Sequence, residues 1–245
     1  MRGLRLDGRT ALVTGGGGGI GAAICADLAA LGARVAVADR DAGAARTVAE
    51  RLDGAFAAAV DLADPAAVAD LAAGLGAVDV LVSNAGISVV GPFADSDPAD
   101  WERMWAVNLR APMLLARALL PGMTAAGWGR LVFVSSDGAR AGSGGEGAYA
   151  ASKAGLFGLA KTLARETARY GVTSNVVCPG PTDTPMLRAV SDGNPGLVDK
   201  LARGIPLRRL GRPEDVSGLV AYLCTDRAEY ITGQTLSVSG GVTMQ

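Results

Sequence analysis

Seven short apolar runs alternate with segments of helical spacing along almost the whole chain, and this alternation limits the possible folds more than any other feature. The runs are Thr10–Thr14, Arg34–Ala38, Ala55–Val60, Asp79–Ser83, Arg130–Ser135, Thr173–Cys178 and Thr235–Val238. Most are near-continuously apolar, as strands buried on both faces must be. Helical patterns fill the gaps: Ile20–Leu31, Ala42–Leu52, Pro65–Leu75, Asp100–Ala126, Ala148–Tyr170 and Arg212–Cys224. Strand, helix and strand in repetition predict parallel strands with right-handed crossovers. The expected fold is therefore α/β: a doubly wound (Rossmann) parallel sheet of about seven strands, helices on both faces, in one domain over residues 1–245. Pro112 should kink or break the long Asp100–Ala126 segment, because it removes a helical N–H. Residues 181–211 are the least patterned, with Gly193, Pro195, Gly196, Gly204 and Pro206, and are expected to form a substrate lid.

Composition narrows the chemistry. The chain has no histidine among its 245 residues, which excludes a Ser-His-Asp triad, an HExxH zinc site and any imidazole base. Cys25, Cys178 and Cys224 are too scattered for a cysteine-only metal site, so no metal is expected. A formal net charge of -1 argues against a nucleic-acid backbone binder. Mean hydropathy is high, at +0.28, yet no apolar stretch is long enough for a membrane span. The first residues carry no signal-peptide core and the thiols look unpaired, so a cytoplasmic protein is expected.

Glycine supplies the first positive sign of function. Thr14-Gly15-Gly16-Gly17-Gly18-Gly19-Ile20-Gly21 lies between the first strand and the first helix. There, missing side chains let a pyrophosphate approach the backbone, and the helix N-terminus offers free N–H groups. Asp39 follows at the end of the second strand, where a carboxylate can accept from both ribose hydroxyls of an adenosine and repel a 2′-phosphate. Arg40 beside it could instead hold such a phosphate. Since Asp39 comes first and no base interrupts the glycines, NAD is expected over NADP.

Tyr149-Ala150-Ala151-Ser152-Lys153 opens the longest helix, and residues four apart share a face. A phenol with a pKa of about 10 is a poor base at neutral pH. A neighbouring cation favours the phenolate and should bring it into a useful range. Ser136, at the end of the fifth strand, could hydrogen-bond a substrate oxygen.

These pieces together resemble the short-chain dehydrogenase/reductase family over nearly the whole chain. The motifs in order are TGxxxGIG at Thr14–Gly21, Asp39, Asp61-Leu62, Asn84-Ala85-Gly86, Asn108, Ser136, Tyr149, Lys153 and Pro179-Gly180. The resemblance implies a nicotinamide-dependent interconversion of a secondary alcohol and a ketone. By it, Tyr149 is the acid–base residue, Ser136 positions the substrate oxygen, and Lys153 binds the nicotinamide ribose and lowers the Tyr149 pKa. Asn108 would hold a water in the proton relay. Gly15, Gly18, Gly19, Ile20 and Gly21 would cradle the pyrophosphate, with Pro179 and Gly180 also near the cofactor. Asp61 and Leu62 would touch adenine, Asn84 and Gly86 the adenosine side, and Thr182 and Thr184 the carboxamide. Ser83 stands where the family often has Asn, and is expected to bond locally instead.

Within the family, stretches such as Ser136–Arg140 and Asn175–Thr184 look like the 2-hydroxycyclohexanecarboxyl-CoA dehydrogenase and 3-oxoacyl-ACP reductase types. A β-hydroxyacyl thioester or cyclic hydroxy substrate is implied. Arg140, Arg188, Arg203, Arg208 and Arg209 could meet a CoA phosphate or simply form a solvated lid face. The alternatives are an NADPH-linked 3-oxoacyl thioester reductase and, from another class, a non-catalytic NAD-sensing protein. The apolar helix Ala148–Tyr170 and the Ile231–Met244 segment exceed what one sheet face needs, and the family is commonly a two-fold symmetric homotetramer.

Overall fold

The computed structural model describes residues 3–191 and 196–244. The strands are β1 (Thr10–Thr14), β2 (Arg34–Asp39), β3 (Phe56–Ala59), β4 (Val80–Ser83), β5 (Gly129–Val134), β6 (Val172–Pro179) and β7 (Thr235–Val238). They form one sheet in the order β3-β2-β1-β4-β5-β6-β7, and every pairing is parallel. The order reverses between β1 and β4. Chains leaving these two strands diverge to opposite faces and open a crevice at their C-terminal ends.

Alternate side chains of each strand serve two cores. On one face Ala11 and Val13 of β1 and Val132 and Val134 of β5 pack with Ile24, Leu28, Val216 and Val220. On the other, Leu12, Leu131 and Phe133 pack with Leu115, Leu119, Leu156 and Ala160. Helices α1 (Gly19–Ala30), α2 (Ala42–Ala49) and α10 (Pro213–Leu223) cover the first face; α3 (Pro65–Leu75), α5 (Ala111–Ala126) and α7 (Gly147–Thr167) cover the second. Shorter helices α4 (Pro98–Trp105), α6 (Asp137–Ala141), α8 (Pro185–Ser191) and α9 (Leu197–Gly204) complete the set among the described residues.

Helix starts follow local chemistry. Asp64 and Asp97 each precede a proline, and their carboxylates accept from Ala66 N and Ala99 N. Proline at the first position needs no N–H partner, while the cap satisfies the next orphan donor. Asp41 plays the same part for α2, accepting from Gly43 N and Ala44 N.

The expected irregularity near Pro112 lies just ahead of it. Ala106–Arg110 is one wide π-helical turn, after which α5 runs on past both Pro112 and Pro121. Pro112 has no N–H for the carbonyl four residues back, that of Asn108, and the widened turn accommodates the missing bond. Residues 181–211 carry two helices, α8 and α9. Gly193 and Pro195 of the expected lid lie outside the described residues. No described helix is long and apolar enough to cross a membrane, and no described His/Cys/Asp/Glu cluster could hold a metal.

Candidate active site

A cleft of about 1170 Å³ opens along the C-terminal edge of the sheet. One end is formed by Gly15, Gly18, Gly19, Ile20 and Asp39, after β1 and at the end of β2. The middle is lined by Asn84, Ala85 and Gly86 after β4. At the far end lie Ser136, Glu146, Tyr149 and Lys153, and the cleft is also lined by Pro179, Gly180 and Thr182, by Thr184, whose Cγ2 is 3.5 Å from where a Gly19 Cβ would point, and by Met186, Leu187, Val190, Leu197 and Leu201 of α8 and α9.

The glycine loop is held for two different reasons. A Cβ at Gly21 would lie 2.0 Å from the Gly15 carbonyl oxygen, and one at Gly15, where φ is +65°, would lie 2.9 Å from the Ala85 Cα. Those two positions need glycine for the loop to fold. Gly18 differs: it lines the cleft, its φ is extended, and nothing lies within 4 Å of where its Cβ would point. Its smallness leaves cleft space open rather than relieving a clash, which fits a phosphate drawn to the α1 N-terminus. Asn84 locks the loop, its Nδ2 donating to the Thr14 and Gly15 carbonyls at 3.1 and 3.2 Å. Asp39 accepts from Gly17 N at 3.0 Å through Oδ2 and from Asp41 N at 3.0 Å through Oδ1, so Asp41 rather than Asp39 caps α2.

At the reacting end, Ser136 caps α6, its Oγ accepting from Gly138 N at 3.1 Å. It also hydrogen-bonds the Tyr149 phenol. Burial pushes that phenol up to about 12, the nearby Glu146 carboxylate adds to the rise, and the Ser136 bond opposes it. The sequence argument expected Lys153 to lower it, and in this structure the shift runs the other way. The Lys153 ammonium is fully buried and donates to the Val134 carbonyl at 2.9 Å and the Ala85 carbonyl at 3.3 Å. Its charge is engaged with the backbone, and burial brings its own pKa down to about 8. Gly86 makes room for it, since a Cβ there would lie 3.0 Å from Nζ.

Several expected residues fall outside the cleft lining. The buried side chain of Asn108 accepts from Ile87 N and donates to the Ile87 carbonyl and to Ser152 Oγ, at 2.9, 2.9 and 3.0 Å. It ties the loop after β4 to α7 beside Lys153. Gly21 sits beneath the glycine loop. Arg40 is exposed. Asp61 is exposed and accepts from Ala63 N, and Leu62 belongs to the core. Ser83 Oγ is buried with no hydrogen-bond partner, contrary to the local bond expected of it. The proposed phosphate cations also lie elsewhere: Arg188 pairs with Asp183, Arg209 with Asp215, and Arg140 donates to Ser237 Oγ and the Thr235 carbonyl. Glu146 and the apolar lid residues were missed. The spacing of Glu146, three before Tyr149 on the same helical face, was the available signal.

A family model described as Enoyl-(Acyl carrier protein) reductase matches residues 16–243. The chain belongs to the short-chain dehydrogenase/reductase family. Members of this family are NAD(P)-dependent oxidoreductases acting on CH–OH groups. The 3-oxoacyl-[acyl-carrier-protein] reductase of Escherichia coli K12 is 37% identical over 98% of this chain and 100% of its own length. An acetoacetyl-CoA reductase of Rhizobium meliloti is 40% identical over 95% of this chain and 98% of its own. Among solved structures, a candidate NAD(P)-dependent gluconate 5-dehydrogenase from Beutenbergia cavernae with bound NADP superposes with a TM-score of 0.93, at 38% identity, covering 98% of each chain. The short-chain dehydrogenase/reductase motifs read from the sequence thus span a chain that matches its relatives end to end.

Proposed function

We propose that this short-chain dehydrogenase/reductase uses NAD to interconvert a secondary alcohol and a ketone, with a β-hydroxyacyl thioester or a cyclic hydroxy compound as substrate. The observation that carries the reading is a single cleft with a glycine cradle and Asp39 at one end and Ser136, Tyr149 and Lys153 at the other. Bound nicotinamide would supply or accept the hydride. Gly15, Gly18, Gly19 and Ile20 would hold the pyrophosphate, and Asp39 the adenosine ribose. Asn84 and Gly86 border the same groove, as do Thr182, Pro179 and Gly180, and Thr184 lies against Gly19. Tyr149 holds its proton at neutral pH and gives it to the ketone oxygen during reduction; in oxidation it takes the proton back. Ser136 orients that oxygen. Lys153 anchors α7 to the Ala85 and Val134 carbonyls, and its third N–H would be left for the ribose. The side chain of Asn108 is committed to Ile87 and Ser152, so its share in a water relay rests on its backbone carbonyl, which Pro112 leaves without an α-helical donor.

Asp39 supports NAD because a carboxylate facing the ribose site repels a 2′-phosphate. The Arg40 guanidinium stands outside the cleft. NADP in the related solved structure keeps an NADPH-linked 3-oxoacyl reductase as the second reading. Steady-state assays with NAD(H) and NADP(H) against β-hydroxyacyl thioesters and free cyclic alcohols test both: NAD is expected to give at least tenfold higher kcat/KM. A preference for NADP would assign the second reading. Turnover of free alcohols with none of any β-hydroxyacyl thioester would remove the thioester.

A homotetramer in a cytoplasmic setting completes the proposal. An apolar groove between α5 and α7, lined by Met113, Leu114, Leu120, Leu159 and Leu163, supports burial of this face between copies. Light scattering should give four chains of 24.6 kDa, and a single-chain mass would refute it.

A further inference from the structure

The charges lining the cleft are uneven. Three carboxylates, Asp39, Asp137 and Glu146, face it, against one cation among the described residues, Lys153. Asp39 belongs to the glycine-loop end. Asp137 is buried, and its Oδ1 accepts from Ser237 Oγ at 2.5 Å. Lys153 is turned to the Ala85 and Val134 carbonyls. Glu146 is therefore the one half-buried carboxylate at the reacting end that faces whatever enters there. It lies one turn before Tyr149, close enough to act on the phenol, and among the described residues its carboxylate has one hydrogen-bond partner, the distant Ser88 Oγ at 3.5 Å. It is not held there for the helix, since its side chain makes no capping bond to α7. No described arginine lines the cleft; Arg188 of α8 pairs with Asp183, and Arg140 of α6 donates to β7.

We propose that Glu146 is a specificity-determining residue that excludes substrates bearing a carboxylate near the reacting carbon and selects neutral ones, such as esters, thioesters and unionised alcohols. In a cleft walled by the apolar side chains of α8 and α9, two like charges are poorly screened and neither finds a counter-ion. A thioester is uncharged around its β-carbon and carries its phosphates far from it. A free hydroxy acid brings its charge to Glu146. The inference rests on the reading of this end of the cleft as the substrate site, but not on the thioester itself.

Two matched pairs test it: the N-acetylcysteamine thioester of 3-hydroxybutanoic acid against free 3-hydroxybutanoate, and cyclohexanol against 2-hydroxycyclohexanecarboxylate, each with NAD and NADP. The native protein should favour the neutral member of a pair at least tenfold in kcat/KM, mostly through KM. Glu146→Gln should shrink that ratio at least fivefold, whereas Glu146→Asp, which keeps the charge, should largely retain it. Discrimination within the cyclohexanol pair, with no turnover of either member of the thioester pair, would sustain the role of Glu146 and end the thioester reading. Equal use of both members, or a ratio unmoved by Glu146→Gln, would overturn the inference and leave the thioester reading intact. No turnover in either pair with either cofactor would overturn both.

Discussion

At the scale of single residues, the working end of the cleft is a contest between burial and charge. Burial pushes the Tyr149 phenol up to about 12 and the Lys153 ammonium down to about 8, and in each case the neutral form gains. Tyr149 therefore keeps its proton across the neutral range, and in the proposed reaction it would give that proton to a ketone oxygen. The reverse reaction needs the phenolate, whose fraction grows about tenfold per pH unit below the pKa. Alcohol oxidation should accordingly climb steeply with pH up to at least pH 9, while ketone reduction stays flat, as measured by kcat/KM in both directions. An oxidation profile that levels off near pH 7 would show that the working phenol is not the buried group described above. Removing the hydroxyl is the sharper test. Tyr149→Phe should lower turnover by a factor on the order of 10² to 10⁴, the usual share of general acid–base catalysis, while NADH binding followed by fluorescence persists. Unchanged turnover would displace Tyr149 from its role.

At the scale of elements, the glycine loop separates two uses of one residue type. Gly18→Ala meets nothing within 4 Å and has an extended backbone, so the melting temperature should hold while NAD affinity falls. Gly21→Ala drives a methyl to 2.0 Å from a backbone oxygen, so stability and affinity should fall together, stability by about 1–3 kcal/mol. Calorimetric melting and NAD titration of the two variants separate these outcomes. Most strands were legible because a buried parallel strand such as Val80–Ser83 or Gly129–Val134 is apolar at nearly every position, although Val172–Pro179 buries Thr173, Ser174 and Asn175 as well. Their order was not, because pairing is set by crossovers rather than by composition. Helix α6 escaped notice: Asp137–Ala141 is five residues long and depends on the Ser136 cap. The widened turn at Ala106–Arg110 was half legible, since Pro112 announced a break but not that the preceding turn would absorb it. Tyr149, Lys153 and Asp39, which stand in sequence motifs, line the cleft. Glu146 was not singled out, because only the folded cleft brings it to the reacting end beside Tyr149.

At the scale of the whole molecule, the tight two-sided core gives a pH signature of its own. The three cysteines are all free and buried: Cys25 and Cys224 in the core over α1 and α10, Cys178 in the core on the other face. Desolvation pushes their thiols up to about 12, 12 and 11 respectively, from an ordinary value of 9.0. A group whose folded pKa is raised contributes fully below its unfolded pKa, and that contribution is lost as pH climbs toward the folded value. Below pH 9 the thiols are thus neutral in both states; above it, the unfolded chain ionises and the folded one does not. Lys153 acts in the opposite sense, because its lowered pKa makes stability rise between about pH 8 and 10.5. Three thiols outweigh one amine, each titrating group being worth about 1.4 kcal/mol per pH unit at most. Chemical denaturation should therefore show stability declining between pH 9 and 11. The combined variant Cys25→Ala, Cys178→Ala, Cys224→Ala should start less stable, because it leaves small cavities, yet rise between about pH 9 and 10 as Lys153 acts, and level off above pH 10, where the raised Tyr149 phenol opposes it. The same decline in both proteins would place its cause outside the core.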